Sequence, residues 1–208
     1  MPAHFWEERY SGAGQVWSGR PNQILTQVAA DLTPGRALDL GCGEGGDAIW
    51  LAQRGWDVTG LDISLTATRR AAEAARAAGL PPEHIRFLAA DLAALDHAGT
   101  FDLVTASYLH SPVEFPRTEV LRHAAGLVAP GGHLLVLSHA DFPPWSQARD
   151  HGEHRFLSAA EEVAEIGLDG PGWTVILAET RSRDAVGPEG QTAVLDDAVV
   201  LARRRDGS

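Results

Sequence analysis

Lysine is absent from this chain of 208 residues, so all 17 of its basic side chains other than histidine are arginines. Cysteine is nearly absent too, because Cys42 is the only one. A single cysteine excludes an intrachain disulfide and fits a reducing, cytoplasmic location. The lack of lysine disfavours any oxidoreductase that relies on a catalytic tyrosine–lysine pair.

Positive charge is also scarce beside negative charge. The 17 arginines face 28 acidic residues, which gives a net charge of -11 at pH 7. Binding to nucleic acid needs basic surface, so a nucleic-acid partner is disfavoured. No apolar run is long enough to span a membrane, and the charged stretch FWEER at 5–9 is unlike a signal peptide. We therefore expect a cytoplasmic protein without a membrane or nucleic-acid partner.

What the chain does contain is an alternation of apolar and helical segments, which predicts a parallel sheet with helices on both faces. Its length suits one domain. Local signals indicate where helices begin and end: Ser64 and Ser158 favour helix N-caps, and Gly79 and Gly167 favour helix ends. The predicted helices cover 21–30, 46–54, 64–78, 117–127 and 158–166. The predicted parallel strands cover 37–40, 58–62, 85–89, 101–106 and 133–138.

The character of the sequence changes after residue 170. Two β-rich segments, 173–181 and 192–203, follow each other with no helix between them. Pro188, Glu189 and Gly190 supply a turn. The two segments are therefore predicted to form an antiparallel hairpin.

Glycines cluster after the first predicted strand, in the run ALDLGCGEGG at 37–46. Gly41, Gly43 and Gly46 fit the dinucleotide fingerprint G-x-G-x-x-G, and Gly45 completes the tighter form G-x-G-x-G. A strand that passes through glycines into a helix builds a nucleotide pocket, because glycine lets the backbone turn sharply and approach a ligand. The pattern alone leaves a nicotinamide cofactor open.

Two acidic residues narrow the choice of ligand. Asp39 precedes the first glycine, where a pyrophosphate gains nothing from negative charge but a cation does. We also expect Asp39 to accept hydrogen bonds from backbone amides of the glycine loop. Asp62 ends the second strand, at the spacing where a carboxylate meets ribose hydroxyls. Together they favour a cationic nucleoside, such as a sulfonium with an amino-acid tail.

With these motifs the chain resembles the class I S-adenosylmethionine-dependent methyltransferases. Their first motif reads here as LDLGCGEG at 38–45, their F-D-x-V strand as FDLV at 101–104, and their Pro-Gly-Gly landmark as LVAPGG at 127–132. The motifs keep the family order across 37–139. The resemblance implies an α/β, doubly wound, mostly parallel seven-stranded sheet with a C-terminal antiparallel hairpin. It also implies S-adenosyl-L-methionine as the cofactor.

The resemblance assigns most of the cofactor site. Asp91 would meet the adenine amino group, and Leu92 would back the ring. Cys42 is interpreted as a small residue inside the glycine turn rather than as a reactive thiol. The predicted cofactor-binding residues are Trp17, Arg20, Asp39, Gly41, Cys42, Gly43, Gly45, Asp62, Ile63, Asp91, Leu92 and Ser107.

The segment before the first strand is rich in aromatic residues and has no place inside the sheet. In small-molecule members of the family, loosely those of the tellurite and thiopurine branch, such a segment folds over the cofactor. We predict a lid over 1–20, with Tyr10 in the substrate site. Phe5 and Trp6 fit a lid and plain packing on the helix layer equally well.

Histidines are concentrated in the second half of the chain. His110 and His139 follow the fourth and fifth strands, where ligands of such sheets bind, and both are candidate catalytic bases. Tyr108 and Trp145 are candidate substrate contacts. His139, together with His151 and His154, could instead hold a metal, but the spacing does not support a metal site and none is predicted.

The sequence thus predicts a methyltransferase that uses S-adenosyl-L-methionine and a small-molecule acceptor. A nicotinamide-dependent oxidoreductase and a non-catalytic nucleotide-binding module remain as alternatives. We expect one domain over 1–208, with the lid at 1–20, a cofactor-binding core at 37–139, and a loop, helix and hairpin at 140–208. Either a monomer or a homodimer is compatible with this layout.

Overall fold

A seven-stranded mixed sheet forms the centre of the protein in a computed structural model, which describes residues 2–12, 14–95, 99–146, 155–187 and 189–207. The strands lie in the order β3-β2-β1-β4-β5-β7-β6, and the last two run antiparallel. Their bounds are β1 Arg36–Leu40, β2 Asp57–Asp62, β3 Ile85–Ala89, β4 Phe101–Ser107, β5 Val128–His139, β6 Trp173–Val186 and β7 Thr192–Arg204.

Helices cover both faces of the sheet. One face carries a core shared with α2 and α3, which includes Trp56, and the other a core shared with α5 and α6. The helices are α1 Pro2–Ser11, α2 Gln23–Ala29, α3 Gly46–Gln53, α4 Leu65–Ala77, α5 Arg117–Gly126 and α6 Ala159–Ile166, with a short 3-10 turn at Leu92–Ala94. Strand β1 is buried along Ala37–Leu40, as expected for a strand covered on both faces. This confirms the predicted fold class.

Local signals begin and end the helices as the sequence indicates. The Ser64 hydroxyl accepts a hydrogen bond from the Ala67 amide at 3.1 Å and caps α4. Ser158 and Glu161 form a reciprocal capping box at the start of α6, and Gly167 ends that helix with a left-handed φ of 86°. Each of the five predicted helices is present, with ends within two residues of the prediction.

Three features differ from the sequence prediction. Helix α1 was not predicted, and its only buried residue is Tyr10, so contacts with other elements must stabilise it. Strand β5 begins at Val128, before the Pro-Gly-Gly turn rather than after it. Strand β6 continues to Val186 because it pairs with β7 along its whole length.

No helix among the described residues is both long and apolar enough to cross a membrane. The sheet reverses its order between β1 and β4, where the carboxyl ends of neighbouring strands open a crevice. The glycine run and the residues after β4 both lie at this crevice.

Candidate functional site

The glycine loop that follows β1 forms a cradle that other residues could not form. Gly41, Gly43 and Gly45 have φ angles of 69°, 52° and 85°, in the left-handed region that side chains rarely adopt. A Cβ at Gly41 would lie 2.7 Å from the Leu109 side chain, and one at Gly43 would lie 3.1 Å from the Tyr10 hydroxyl. The bare backbone of the loop therefore faces the crevice.

Asp39, at the end of β1, is buried with one oxygen unsatisfied. Thr105 donates a hydrogen bond to Oδ1 at 2.8 Å, whereas the buried Oδ2 has no partner among the described residues. Burial raises the pKa of Asp39 well above its ordinary value, and the nearby Asp47 carboxyl adds to the effect. The expectation that Asp39 bonds the loop amides is wrong, because Asp62 accepts from the Gly43 amide instead.

An orphan carboxylate oxygen beside a bare glycine backbone tests whether S-adenosylmethionine fits. A cationic ammonium group would satisfy Oδ2 and favour the charged form of Asp39. A pyrophosphate brings no cation that could pair with Oδ2. The residues at the end of β1 therefore fit an aminoacyl sulfonium better than a dinucleotide.

Asp62, at the end of β2, links the glycine loop to helix α4. It accepts hydrogen bonds from the backbone amides of Gly43 and Ser64, each at 2.9 Å. Burial raises the pKa of Asp62, and these two bonds act against the rise. Each carboxylate oxygen can accept further bonds, so ribose hydroxyls could still be held. Ile63, the next residue, is half-buried.

The remaining predicted cofactor contacts lie on either side of this loop. Asp91 is exposed and caps the 3-10 turn through the Ala93 amide at 2.9 Å, whereas Leu92 is buried in the core. The Cys42 sulfur lies against Gly60, and burial raises the pKa of the thiol well above its ordinary value. Cys42 is therefore a protonated packing residue in this structure.

The N-terminal segment lies over the crevice and is tied to it at several points. Glu7 accepts hydrogen bonds from the Ser64 hydroxyl and from Thr66 at the start of α4. The Trp6 indole donates to Ser111 at 3.4 Å, beyond the end of β4. Helix α1 thus reaches from the carboxyl end of β2 to that of β4.

Tyr10 and Trp17 meet above Gly43. The Trp17 indole donates a hydrogen bond to the Tyr10 hydroxyl at 2.8 Å, and Glu44 accepts from the Trp17 amide at 2.9 Å. The Trp17 side chain is nevertheless half-exposed. Arg20 is exposed, and its carbonyl lies against the start of α3, where a Cβ on Gly46 would be 2.7 Å away.

The residues after β4 turn sharply into the crevice. Tyr108 has a φ of 51°, the one positive value found for a non-glycine residue in the described ranges. Such strain persists only where the surroundings enforce it, and it is common at functional sites. Ser107 lies beside Asp47 and acts to lower the pKa of that carboxyl, which burial raises. Leu109 packs over Gly41.

A polar cluster joins the ends of β4 and β5 to the terminal hairpin. Asp197 of β7 lies directly opposite His139 in the antiparallel register, and the His139 Nδ1 to Asp197 Oδ1 distance is 3.1 Å. The Tyr108 hydroxyl and the Arg183 guanidinium each donate to Asp197 Oδ2 at 2.6 Å. The His110 ring runs nearly parallel to that of His139, 5.7 Å away.

The sequence prediction missed Asp197 and Arg183. A signal for Asp197 was present, because an acid in the middle of the apolar strand AVLDDAVVLA at 193–202 must find a partner when buried. Burial acts to raise the pKa of Asp197, but hydrogen bonds from His139, Tyr108 and Arg183 outweigh it and lower the pKa. Arg183 carried no signal that distinguished it from neighbouring surface arginines.

Aromatic side chains extend this cluster outward. Phe156 lies 6.3 Å from His110, and Phe142 meets Phe156 edge to face at 4.7 Å. Trp145 is half-buried and packs on Gly187 at the tip of the hairpin, where a Cβ would be 2.8 Å from its ring.

The alternative metal site of the sequence analysis falls only partly within the described residues. His151 and His154 lie outside the described residues, whereas His139 is bound to Asp197. Within the described ranges, no group of three or more histidine, cysteine or acidic side chains is placed to hold a metal ion.

A buried ionic group supports the turn after β4. Arg117 of α5 pairs with Glu162 of α6 at 2.8 Å, and both bond Ser138 of β5. The Arg117 Nε also donates to the Leu109 carbonyl at 3.0 Å. The Arg117–Glu162 pair therefore connects helices α5 and α6 to the turn that carries Leu109 over the glycine loop.

Strand order, glycine cradle and unsatisfied acid together define a nucleoside-binding α/β protein of the methyltransferase type. Residues 37–132 match the family described as "Methyltransferase domain". Residues 37–132 therefore carry a methyltransferase domain, and the relatives and the fold that match this chain are those of class I S-adenosylmethionine-dependent methyltransferases, whose methyl donor is S-adenosyl-L-methionine. The resemblance found in the sequence is confirmed.

Named relatives match the same region of the chain. A ubiquinone biosynthesis O-methyltransferase of Vibrio parahaemolyticus is 35% identical over 65% of this chain and 57% of its own length. A probable thiol methyltransferase 2 of Arabidopsis thaliana is 31% identical over 64% of this chain and 60% of its own. The chain thus spans less than two thirds of either relative.

One solved structure matches almost the entire chain. It comes from work on the conversion of a disulfide bond into a thioacetal group during echinomycin biosynthesis. It is 26% identical, has a TM-score of 0.75, and covers 99% of this chain and 94% of its own. The similarity therefore extends over the N-terminal segment and the terminal hairpin as well as the glycine core.

Proposed function

We propose that the protein transfers the methyl group of S-adenosyl-L-methionine to a small-molecule acceptor. The observation that carries the proposal is the unsatisfied Oδ2 of Asp39 beside the bare backbone of Gly41 and Gly43. Named relatives support it, since one is an O-methyltransferase and another a thiol methyltransferase. Their acceptor atoms differ, so they do not identify the acceptor of this chain.

The cofactor residues divide by the part of the ligand they would hold. Asp39 would hold the aminoacyl ammonium group, and Asp62 would hold the ribose hydroxyls. The glycine loop, together with Cys42 and Ser107, would contact the rest of the aminoacyl chain. Ile63, Asp91 and Leu92 would surround the adenine, with Leu92 contributing little because its side chain is buried. Trp17 and Arg20 would cover the site. The bound cofactor supplies an electrophilic methyl group.

The acceptor residues lie at the next strand ends. We propose His110 and His139 as catalytic residues, and Tyr10, Tyr108 and Trp145 as acceptor contacts. The chain's own task is to orient the acceptor and to exclude water from it. The segment 1–20 would act as the lid, 37–139 as the cofactor-binding core and 140–208 as the acceptor side of one domain.

The lone cysteine supports a cytoplasmic enzyme, and the charge of -11 supports a partner other than nucleic acid. We propose that the protein works as a monomer or as a homodimer.

Calorimetry with S-adenosylhomocysteine and with NAD tests the proposal. We expect binding of S-adenosylhomocysteine and none of NAD, because Asp39 can pair with the ammonium group of the first ligand and gains nothing from the pyrophosphate of the second. Selective binding of NAD would replace the methyltransferase with an oxidoreductase. Binding of S-adenosylhomocysteine without methyl transfer to any phenol, thiol or amine acceptor would indicate a non-catalytic module.

A further inference from the structure

His139 is held through one ring nitrogen and leaves the other to the crevice. Its Nδ1 lies 3.1 Å from Asp197 Oδ1. Within the part of the chain that the structure describes, the His139 ring makes a hydrogen bond through Nδ1 and none through Nε2. The side chain is 30% exposed, so Nε2 remains accessible to a ligand.

Asp197 is built to stay ionised. It is fully buried, yet Tyr108 and Arg183 donate to Oδ2 and hold the charge in place. Arg183 also donates to the Tyr108 hydroxyl at 3.0 Å, which fixes the two donors relative to each other. A carboxylate bound to one ring nitrogen sets the tautomer of the ring. Neutral His139 therefore carries its proton on Nδ1 and presents Nε2 as an acceptor.

Flat side chains lie beside the His139 ring. The Tyr108 ring stacks on His139 with centroids 4.2 Å apart, and the two planes differ by 14°. His110, Phe156 and Phe142 continue the aromatic wall towards the loop after β5. Walls of this kind suit a planar ring, which can stack or meet them edge to face.

Charge at this point disfavours an acceptor that arrives as an anion. Arg183, the nearby guanidinium, is already paired with Asp197 at 2.6 Å. A thiolate or an oxyanion would find the Arg183 guanidinium already paired, and it would need no base. A neutral hydroxyl, in contrast, needs both an acceptor for its proton and a way to be oriented.

We propose that His139 is the general base for an acceptor that carries a hydroxyl on an aromatic ring, and that Asp197 is its positioning residue. This rests on the proposed methyl transfer. The hydroxyl proton passes to His139 Nε2, and the oxygen keeps the electron pair. That oxygen forms the new bond to the methyl carbon while the carbon–sulfur bond breaks and its pair returns to sulfur. The proton on His139 then leaves to water.

The tautomer of His139 tests the role of Asp197 without turnover. In protein labelled with 15N-histidine, the spectrum should show Nδ1 protonated and Nε2 bare, with the signal assigned by its loss in His139→Gln. Asp197→Asn should lose this preference, because an amide does not fix the proton on Nδ1. His123→Gln, an exposed histidine on α5, is the matched control. An Nε2-protonated ring in the wild-type protein would overturn the proposal.

The phenol 4-nitrophenol tests the base, because its phenolate is coloured. Mixed with the S-adenosylhomocysteine complex below the pH at which the free phenol ionises, it should show phenolate absorbance on binding. The band should be lost in His139→Gln, reduced in Asp197→Asn and Tyr108→Phe, and unchanged in His123→Gln. No band, or an equal band in all variants, would overturn the proposal.

Calorimetry separates the two levels of failure. Each variant should keep the wild-type affinity for S-adenosylhomocysteine, which shows that it is folded. If the wild-type protein does not bind S-adenosylhomocysteine, the proposed function fails, whereas the tautomer of His139 still reports on Asp197. If it binds but neither readout responds, only the acceptor assignment fails.

Discussion

At the scale of single residues, the proposed cofactor site contains several buried acidic side chains. Asp39, Asp47 and Asp62 all have raised pKa values, in each case chiefly because of burial. A group whose pKa is higher in the folded than in the unfolded protein stabilises the fold at low pH. That stabilisation is lost as the pH rises from the unfolded value towards the folded one.

We predict that S-adenosylhomocysteine binding expels a proton, because the ligand's ammonium favours the charged form of Asp39. Calorimetry in buffers of different ionisation enthalpy measures this release. Asp39→Asn should abolish most of it and weaken binding by about 1.5–3 kcal/mol. Asp31→Asn, at an exposed site, should change neither quantity. Unchanged proton release in Asp39→Asn would assign the proton to Asp47 or Asp62.

Asp62→Ala should weaken cofactor binding by about 1.5–3 kcal/mol, the range for charge-assisted hydrogen bonds, while the fold survives. The variant also frees the amides of Gly43 and Ser64, so some loss of thermal stability is expected as well. Asp62→Asn keeps an acceptor oxygen, so its affinity for the cofactor should lie between those of the wild-type protein and Asp62→Ala. A collapse of the melting temperature with unchanged affinity would make Asp62 a purely structural acid.

At the scale of elements, the N-terminal helix and the helix pair α5–α6 shape the crevice. Helix α1 buries little of its own surface, so its place depends on side-chain contacts such as those of Glu7 with Ser64 and Thr66. Elements with few buried apolar contacts open easily. This is the property that a lid requires.

The lid hypothesis predicts a change in hydrogen exchange. Amides between Phe5 and Trp17 should become protected when S-adenosylhomocysteine is added, because closure would order the segment over the ligand. Glu7→Gln should raise the exchange of the free protein, and the exposed neighbour substitution Glu8→Gln should not. Equal exchange with and without ligand would make the segment static packing and remove Tyr10 and Trp17 from the site.

The ionic group between α5 and α6 offers a matched pair of substitutions. Glu162 is buried with Arg117, so Glu162→Gln should cost about 3–5 kcal/mol of unfolding free energy. Glu165→Gln breaks an exposed pair with Arg122 and should cost about 0–1 kcal/mol. Urea unfolding measures both. Equal costs would show that burial does not decide the strength of this interaction.

The elements also show what the sequence could reveal. The parallel strands and capped helices follow from short-range signals, such as Ser158 with Glu161, and their predicted ends lie within two residues of the observed ones except at the start of β5. Helix α1 was not, because its stability comes from residues far away in the chain. The pairing of His139 with Asp197 depends on the register of β5 against β7, which the pattern of apolar residues does not specify.

At the scale of the whole molecule, ligand binding should appear as thermal stabilisation. S-adenosylhomocysteine at a hundredfold excess over its dissociation constant adds about 2.7 kcal/mol to the unfolding free energy. For a domain of this size, each kcal/mol raises the melting temperature by roughly 2–4 °C. NAD at the same concentration should leave it unchanged, and a rise with NAD alone would contradict the proposed cofactor.

Because β5 pairs with β7, the crevice is lined both by residues of the glycine core and by residues of the terminal hairpin. The family match ends at residue 132, before His139, and Arg183 and Asp197 come still later. If the proposed roles hold, the residues that bind the donor lie mainly within the matched region, whereas part of the acceptor side lies beyond it. A recombinant that keeps residues 1–132 and takes the remainder from a relative should retain affinity for the donor while acquiring a new acceptor. Such a recombinant would show how far the end of β5 and the terminal hairpin select the acceptor.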